Sequence, residues 1–450
     1  MFTVRTFPAA ELGNTSFLVA DPEGGVAAVI DPYRDVDGYL THAEKHNLHV
    51  TRALDTHVHN DFVSGGRELA AEAGTDIGEL AAGAEVDLGA LKIRALHTPG
   101  HTPEHKSYLL LEGDRLRVLF SGGAVMVGSI ARTDLFGPHL AMHLAIEALS
   151  TLQVRLRGLP DDIAVYPTHG GGSFCGIGAG QGSETTLGRE RATNPFFQAT
   201  EVMPFLARAL DQHRYPDYYR DMAALNRAGM PLLGRKPTAP AKLSPDQVAN
   251  LMSGGEAVVD IRPGIDYDRG HIPGSYSVGL EGGSFSAWVG WLIARDRGIL
   301  LAGGSDAQHA EALRQLHRIG FDRVSGALDG GMDAWASSGR QLSTFETADI
   351  EDLGTWIISG EVMTVLDARD DHEWADGHVP GAVHMYVPDI PHHASEIPAD
   401  APVAVHCGVG YRAGIAASLL EQAGLKRIIH VNAPYEDWAG RLHLAETVPH

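Results

Sequence analysis

The sequence predicts an α/β protein of several domains, with parallel sheets in its C-terminal half. Three observations carry this. At 450 residues the chain exceeds what one ordinary hydrophobic core holds, so two to four domains are expected. The C-terminal half repeats itself: "VVDIRPGIDYDRGHIPGSYSV" (258–278) aligns with "VLDARDDHEWADGHVPGAVHM" (365–385) at an offset of 107 residues. Ahead of the repeat, "GMPLLGRKPTAPAKLSP" (229–245) is dense in Pro and Gly and reads as a linker. The expected domains are 1–235, 246–342 and 349–450.

In the first domain "TSFLVAD" and "VAAVIDP" read as short strands, followed by an amphipathic segment at 36–46 and an apolar strand before Thr56. Residues 63–74 read as a helix. Strands and histidine-bearing loops recur through residue 170, and 188–228 reads as mainly helical, broken by Pro195, Pro204 and Pro216. Each copy of the repeat opens with a β-branched strand and turns at Gly-His-x-Pro-Gly; Asp260/Asp367, Arg262/Arg369 and His271/His378 are among the identical pairs. Apolar strands at 299–302 and 403–406 then lead into helix-period segments at 307–318 and 413–423. Alternating strands and helices imply a parallel sheet covered on both faces. A unit this long is a duplicated domain and not a solenoid repeat.

Composition narrows the function. A hydrophobic content of 44% and a charged content of 20% are those of a soluble globular protein. No apolar run is long enough to span a bilayer, and the N-terminus lacks a basic-then-apolar signal peptide. A net charge of -22 argues against nucleic acid or anionic membrane as a partner. Only two cysteines occur, Cys175 and Cys407, which excludes a disulfide framework. The expected location is the cytoplasm, with the thiols reduced.

Two stretches carry chemistry. "THVHNDF" (56–62) sets His57 and His59 two apart, with Asp61 behind them. On an extended chain both imidazoles point the same way and reach one ion. His101 in "HTPGHT" follows a Pro-Gly turn, and His169 in "YPTHGGG" follows another strand-like run. Singly, each reads as a hydrogen-bonded surface or core residue, as do His97, His105, His139 and His143; together and in this order they point to a metal site. In "VAVHCGVGYRAG" (403–414) a strand runs into Cys407, followed by Gly408, Gly410, Arg412 and a helix. Inward-turned backbone N–H groups and the helix N-terminus stabilise a thiolate and then an anionic persulfide, with Arg412 completing the cradle. The first copy aligns Gly303 with Cys407 and Gln308 with Arg412. It has no nucleophile, so 246–342 is expected to be inactive.

On "THVHND", "HTPGHT", "FSGGAVMVGSIARTDL" (120–135) and "YPTHG", residues 1 to about 230 resemble the metallo-β-lactamase superfamily and, within it, the persulfide dioxygenases. The repeat resembles two rhodanese domains, so the whole chain resembles a persulfide dioxygenase–rhodanese fusion. The resemblance implies an αββα sandwich followed by two rhodanese-like α/β domains, and a homo-oligomer. It also implies one Fe(II) per chain that uses O2 to oxidise a low-molecular-weight persulfide, glutathione persulfide or similar, to sulfite. Cys407 would exchange sulfane sulfur between persulfide, sulfite and thiosulfate.

The chain departs from the two-metal hydrolases of that superfamily. There Asp61, a following His, a bridging Asp and the last His serve the second ion. Here Phe62 replaces the His, and the bridging Asp register, eleven residues before Asp134, falls on Gly123. One metal is therefore expected, held by His57, His59 and His101, with zinc as the alternative to iron. Asp61 and His169 are expected to orient the ligands or join them. Gly123→Asp is expected to retain iron. Arg132, aligned with the arginine of the family's "GRTD", pairs either a carboxylate of the thiol carrier or Asp134, and Cys175 is placed near the substrate. Two other functions stay open: a zinc thioester hydrolase of glyoxalase II type, and a sulfane-sulfur carrier in which only Cys407 acts.

Overall fold

The computed structural model describes residues 2–178, 180, 182–199, 201–211, 213–236, 239–361 and 363–437. The last residues of the expected third domain, 438–450, lie outside the described residues. The chain divides into two compact units: one up to residue 238 together with Arg314–Gly320, the other from Ala239 to Leu313 and from Phe321 onward.

The first unit contains two sheets. Strands β1 (Thr3–Ala9), β2 (Asn14–Asp21), β3 (Val26–Ile30) and β4 (His49–Leu54) lie side by side in that order. The other sheet contains β5 (Glu85–Leu88), β6 (Leu91–His97), β7 (Lys106–Glu112), β8 (Arg115–Gly122), β9 (Ala164–Pro167) and β10 (Thr185–Thr186), in the order β10-β9-β8-β7-β6-β5. Alternation along a strand builds two cores from one sequence. Tyr108, Leu110, Val118 and Phe120 pack with Phe17, Val19, Ala28 and Ile30 of the facing sheet. Leu109, Leu111, Leu119 and Val165 instead pack with Ala145, Leu149, Phe196 and Phe205 of the helices Pro138–Ser150, Pro195–Gln198 and Val202–Ala209. Helices Asp37–Lys45 and Gly66–Ala73 pack on β4. This is the αββα sandwich expected from the sequence.

The prolines of 188–228 start helices more than they break them. Pro195 opens Pro195–Gln198, and Pro204 sits in the first turn of Val202–Ala209, where a missing N–H costs no intrahelical bond. The ends of β3 and β4, which pair parallel, and of β8 and β9, also parallel, are stitched at one edge. Asp31 N–H donates to the Leu54 carbonyl at 2.9 Å, Thr168 N–H to Gly122 at 3.1 Å, and Thr15 N–H to Thr168 at 2.8 Å. The histidine loops leave from this edge.

The second unit holds the duplication. Strands β11 (Lys242–Leu243), β12 (Ala257–Asp260), β13 (Tyr276–Ser277), β14 (Ile299–Ala302) and β15 (Val324–Leu328) form a sheet ordered β11-β15-β14-β12-β13. Strands β16 (Glu346–Ala348), β17 (Thr364–Asp367), β18 (Val383–His384), β19 (Val403–His406) and β20 (Ile428–Val431) form one ordered β16-β20-β19-β17-β18. Strand for strand the order is the same, and every pair is parallel. Buried on both faces, β14 and β19 lose the polar alternation of a half-exposed strand. Helices Asp306–Arg318 and Tyr411–Gln422 follow them. No described helix is long and apolar enough to cross a membrane.

Candidate functional site

Asp31 follows β3 with φ at 51° and is wholly buried. It accepts from the backbone N–H and hydroxyl of Thr56 at 2.6 and 2.9 Å, from His59 Nε2 at 3.1 Å, and from the Thr168 hydroxyl. Burial opposes its charge, but His59 and these donors hold its carboxyl below the ordinary range. Because the Thr56 hydroxyl donates to Asp31, its oxygen is left to receive His57 Nδ1–H at 2.8 Å. His101 Nδ1–H goes to the Arg132 carbonyl at 2.6 Å. His169 Nδ1–H goes to Asn14 Oδ1 at 3.1 Å, with Asp61 Oδ2 at 3.3 Å. These partners assign the tautomers: all three rings keep Nδ1 protonated and turn an Nε2 lone pair inward.

The three rings meet. Centroids of His57 and His101, His101 and His169, and His57 and His169 stand 4.8, 5.2 and 5.3 Å apart. His57 Nε2 faces His169 Nε2 at 3.4 Å, lone pair to lone pair, and His101 Nε2 is buried without a hydrogen-bond partner. A buried acceptor left unpaired costs about 1–3 kcal/mol, and one divalent cation satisfies all three. Their ligand atoms lie within 4.8 Å of one another, and the donor set suits iron or zinc. Burial first, and then the neighbouring rings, drive His57 well below the ordinary imidazole range and His101 to about 3. Both are thus held in the neutral, ligating form.

The ligand atoms that lie within 4.8 Å of one another are those of His57, His101 and His169, whereas the expected trio has His59 in place of His169; the His59 ring stands 4.3 Å from that of His57. Residues 55–62 bend instead of extending β4, so spacing by two does not align the rings. His59 turns Nε2 to Asp31, with Asp55 at 3.6 Å, and stacks on Phe62 at 4.0 Å and 27°. Burial disfavours its charge, but Asp31 and Asp55 outweigh this and raise it to about 10. His59 Nδ1 is buried without a partner, 4.0 Å from Asp61 Oδ1. His169 takes the third place in the cluster, with Asp61 behind it, tied to Asn14 Nδ2 at 2.6 Å.

Gly123 borders the cluster, and its surroundings explain why no carboxylate is there. A Cβ at this position would stand 2.8 Å from both His101 Cδ2 and Ala131 Cβ. The space around Gly123 speaks against the expectation that Gly123→Asp retains metal, since His101 or Ala131 would have to shift. Gly123 N–H donates to His105 Nε2 at 2.9 Å, and His105 Nδ1 meets Thr98 Oγ1 at 2.9 Å, so His105 is a structural residue.

Arg132 does not stand open to a substrate carboxylate. Its Nε and Nη2 pair with Asp134 at 2.6 and 2.7 Å, and Nη1 donates to the Phe174 carbonyl at 3.2 Å. Cys175 is wholly buried within reach of Asp61 and His169, and burial pushes its thiol well up. Sequence reasoning misses Asp31, Thr56, Thr168 and Asn14. The one signal for Asp31 is an acid closing the apolar strand of "VAAVIDP".

Cys407 follows β19 and is wholly buried, and Gly410 N–H donates to its Sγ at 3.1 Å. Gly410 has φ at 93°, and a Cβ there would stand 2.2 Å from Asn432 Oδ1, so the turn requires glycine. Arg412 departs from expectation: it is held by Glu373 in a two-pronged pair at 2.5 and 2.7 Å and is not a free arm of the cradle. In the first copy, a Cβ on Gly303 would stand 2.5 Å from Arg262 Cγ, so an arginine stem fills the nucleophile's place. Gln308 there accepts the Ser305 N–H at 2.9 Å.

Comparison with known proteins agrees with this division. The rhodanese-like domain family model matches residues 244–338 and 349–441. A crystal structure of a metallo-beta-lactamase from Staphylococcus aureus subsp. aureus COL is 28% identical with a TM-score of 0.65, covering 72% of this chain and 98% of that one. The chain is a metallo-β-lactamase-fold domain followed by rhodanese-like domains. Hydroxyacylglutathione hydrolases resemble the metallo-β-lactamase-fold part. That of Methylobacterium sp. (strain 4-46) is 29% identical over 46% of this chain and 90% of its own length. That of Synechococcus sp. (strain ATCC 27144 / PCC 6301 / SAUG 1402/1) is 31% identical over 35% of this chain and 64% of its own length.

Proposed function

We propose that this chain is a cytoplasmic enzyme of sulfur metabolism. Its first domain oxidises a low-molecular-weight thiol persulfide, glutathione persulfide or similar, to sulfite with O2 at one iron, and its last domain moves sulfane sulfur through Cys407. The observation that carries this reading is the convergence of three imidazoles, with Phe62 and Gly123 standing where a two-metal hydrolase has ligands. His57, His101 and His169 would hold the ion, with Asp61 beside His169. Bound there, Fe(II) supplies open coordination positions for O2 chemistry. Thr56, the Arg132 carbonyl, Asn14 and Asp61 keep the three rings aimed. Phe62, fully buried against His59 and Tyr33, keeps water from that flank. A cavity of about 390 Å³ borders His57 and His59 and is lined also by Asp55, Glu104, Lys106 and Met230.

One persulfide, one O2 and one water give one thiol, one sulfite and two protons. At the other centre the Cys407 thiolate attacks the outer sulfur of a persulfide or thiosulfate. The donor's S–S bond breaks, and thiolate or sulfite leaves. Gly410 N–H lies where it can stabilise the anionic sulfur. Sulfite attack on the outer sulfur then releases thiosulfate and restores the thiolate.

Iron-loaded protein given glutathione persulfide should consume O2 in an amount equal to the sulfite and thiosulfate released together. The likeness to hydroxyacylglutathione hydrolases favours a second reading, a zinc thioester hydrolase. Absence of O2 uptake, together with hydrolysis of a hydroxyacylglutathione by zinc-loaded protein, would replace the first reading with this one.

A further inference from the structure

We propose that the nucleophile-free first rhodanese copy is a positioning module for Cys407, acting through Asp268, His430 and Gly410. Asp268 lies in the helix Gly264–Arg269 of the first copy, and His430 lies on β20 of the second. The two side chains, each 1% exposed, meet at 2.7 Å between Oδ2 and Nδ1. His430 Nε2 reaches the Gly410 carbonyl at 3.0 Å, and Gly410 N–H donates to Cys407 Sγ at 3.1 Å. Both ring nitrogens of His430 therefore face oxygen acceptors, and the ring spans the gap between the first copy and the thiol loop. Gly410 is the residue whose conformation decides where that N–H points, and its positive φ leaves it little steric restraint of its own. An anchored carbonyl restrains it.

A second set of contacts on the same loop and helix points the same way. Tyr411 donates its hydroxyl to the Gly279 carbonyl at 2.9 Å, and a Cβ on Gly282 would stand 1.9 Å from Tyr411 Cε2. The first copy thus leaves a glycine-lined socket where the aromatic ring beside the nucleophile loop sits. Further along the helix Tyr411–Gln422, Ser418 Oγ accepts from Ser277 N–H at 3.2 Å, and Glu421 accepts from Gly274 N–H at 3.0 Å. The copy without a nucleophile supplies a surface that holds its sister's loop. Asp268 and His430 are positioning residues, since neither touches sulfur.

The inference rests on Cys407 being the transfer thiol, but its main readout does not require transfer. The test is the rate of Cys407 alkylation by iodoacetamide at neutral pH, followed by mass spectrometry of its peptide in the full chain. His430→Asn shortens the side chain so that it no longer reaches Gly410, whereas His430→Gln can still place an N–H near the Nε2 position. His430→Asn should slow alkylation about tenfold and lower kcat for thiosulfate about as much, with KM changed less than about twofold; His430→Gln should recover most of both. Asp268→Asn, nearly isosteric, should move alkylation in the same direction as His430→Asn, and it decides the matter if the latter does not fold by circular dichroism. Folded His430→Gln as slow as His430→Asn would overturn the proposal. So would an Asp268→Asn variant that alkylates at the wild-type rate. Normal alkylation and rescue pattern without any sulfur transfer would instead remove the transfer reading and leave the positioning one standing.

Discussion

His101 Nε2 is buried, unpaired and turned toward two other lone pairs, so it is the ligand whose loss is easiest to read. His101→Ala is expected to lose most of the bound iron, measured by metal analysis of reconstituted protein. Unchanged iron content would remove it from the ligand set. Gly123→Asp is expected to lower metal content as well, because the new side chain must enter space already held by the His101 ring and Ala131. Retention of one full iron in that variant would show that the ring yields. Cys407→Ser is expected to abolish thiosulfate sulfurtransferase activity and to spare persulfide-dependent O2 uptake. Transfer that persisted would turn attention to Cys175, the other thiol.

At the scale of elements, short helices carry their stop and start signals in the chain. Helix Ile350–Ser359 is preceded by Asp349, which accepts from the N–H groups of Glu351 and Asp352 at 2.7 and 2.9 Å, while Asp352 accepts from Asp349 N–H at 3.1 Å. This reciprocal cap predicts that Asp349→Ala costs about 1 kcal/mol, seen by calorimetry as an earlier transition of the second unit. No shift would mean that solvent replaces the cap. The strands of the duplicated sheets and the helices behind them were legible for the same local reason: apolar runs and their period are properties of neighbours in the chain. The loop after β4 was not. Its two histidines align only if the chain stays extended, and Asp31, which follows another strand, takes His59 Nε2.

Across the whole first unit, burial of uncharged histidines ties stability to pH. Unfolded histidines take up protons below about pH 6.5, whereas buried His57 and His101 resist until far lower, about 3 for His101. The folded state then binds fewer protons, so stability falls as pH drops through that window. Burial opposes the charge of Asp61, but His169 and His59 hold its carboxyl below the ordinary range, which adds a loss below about pH 4. His59, raised to about 10, contributes fully below about pH 6.5 and loses that contribution progressively as pH rises from there to about 10. The metal-free protein is therefore expected to show a thermal midpoint that declines steadily from pH 6.5 to 4. A flat profile would contradict neutral, buried rings. Added Fe(II) or Zn(II) should raise the midpoint by mass action, and more at neutral than at acid pH, because protons compete for the same nitrogens.

The duplicated α/β half, the strand-to-thiol loop at Cys407 and the missing nucleophile of the first copy are all determined by the sequence alone, because each depends on residues close together in the chain. Which histidines converge was decided only by the tertiary structure. His57 and His169 are 112 residues apart, and the direction of each Nε2 lone pair depends on what takes the proton on the other nitrogen: a threonine, a carbonyl and an asparagine from three distant parts of the chain. The same holds for Arg132 and Arg412. Their positions matched an anion-binding pattern, but Asp134 and Glu373 had already claimed the guanidinium groups. A side chain's type is written in sequence, whereas its free valence is what remains after its spatial neighbours have bonded.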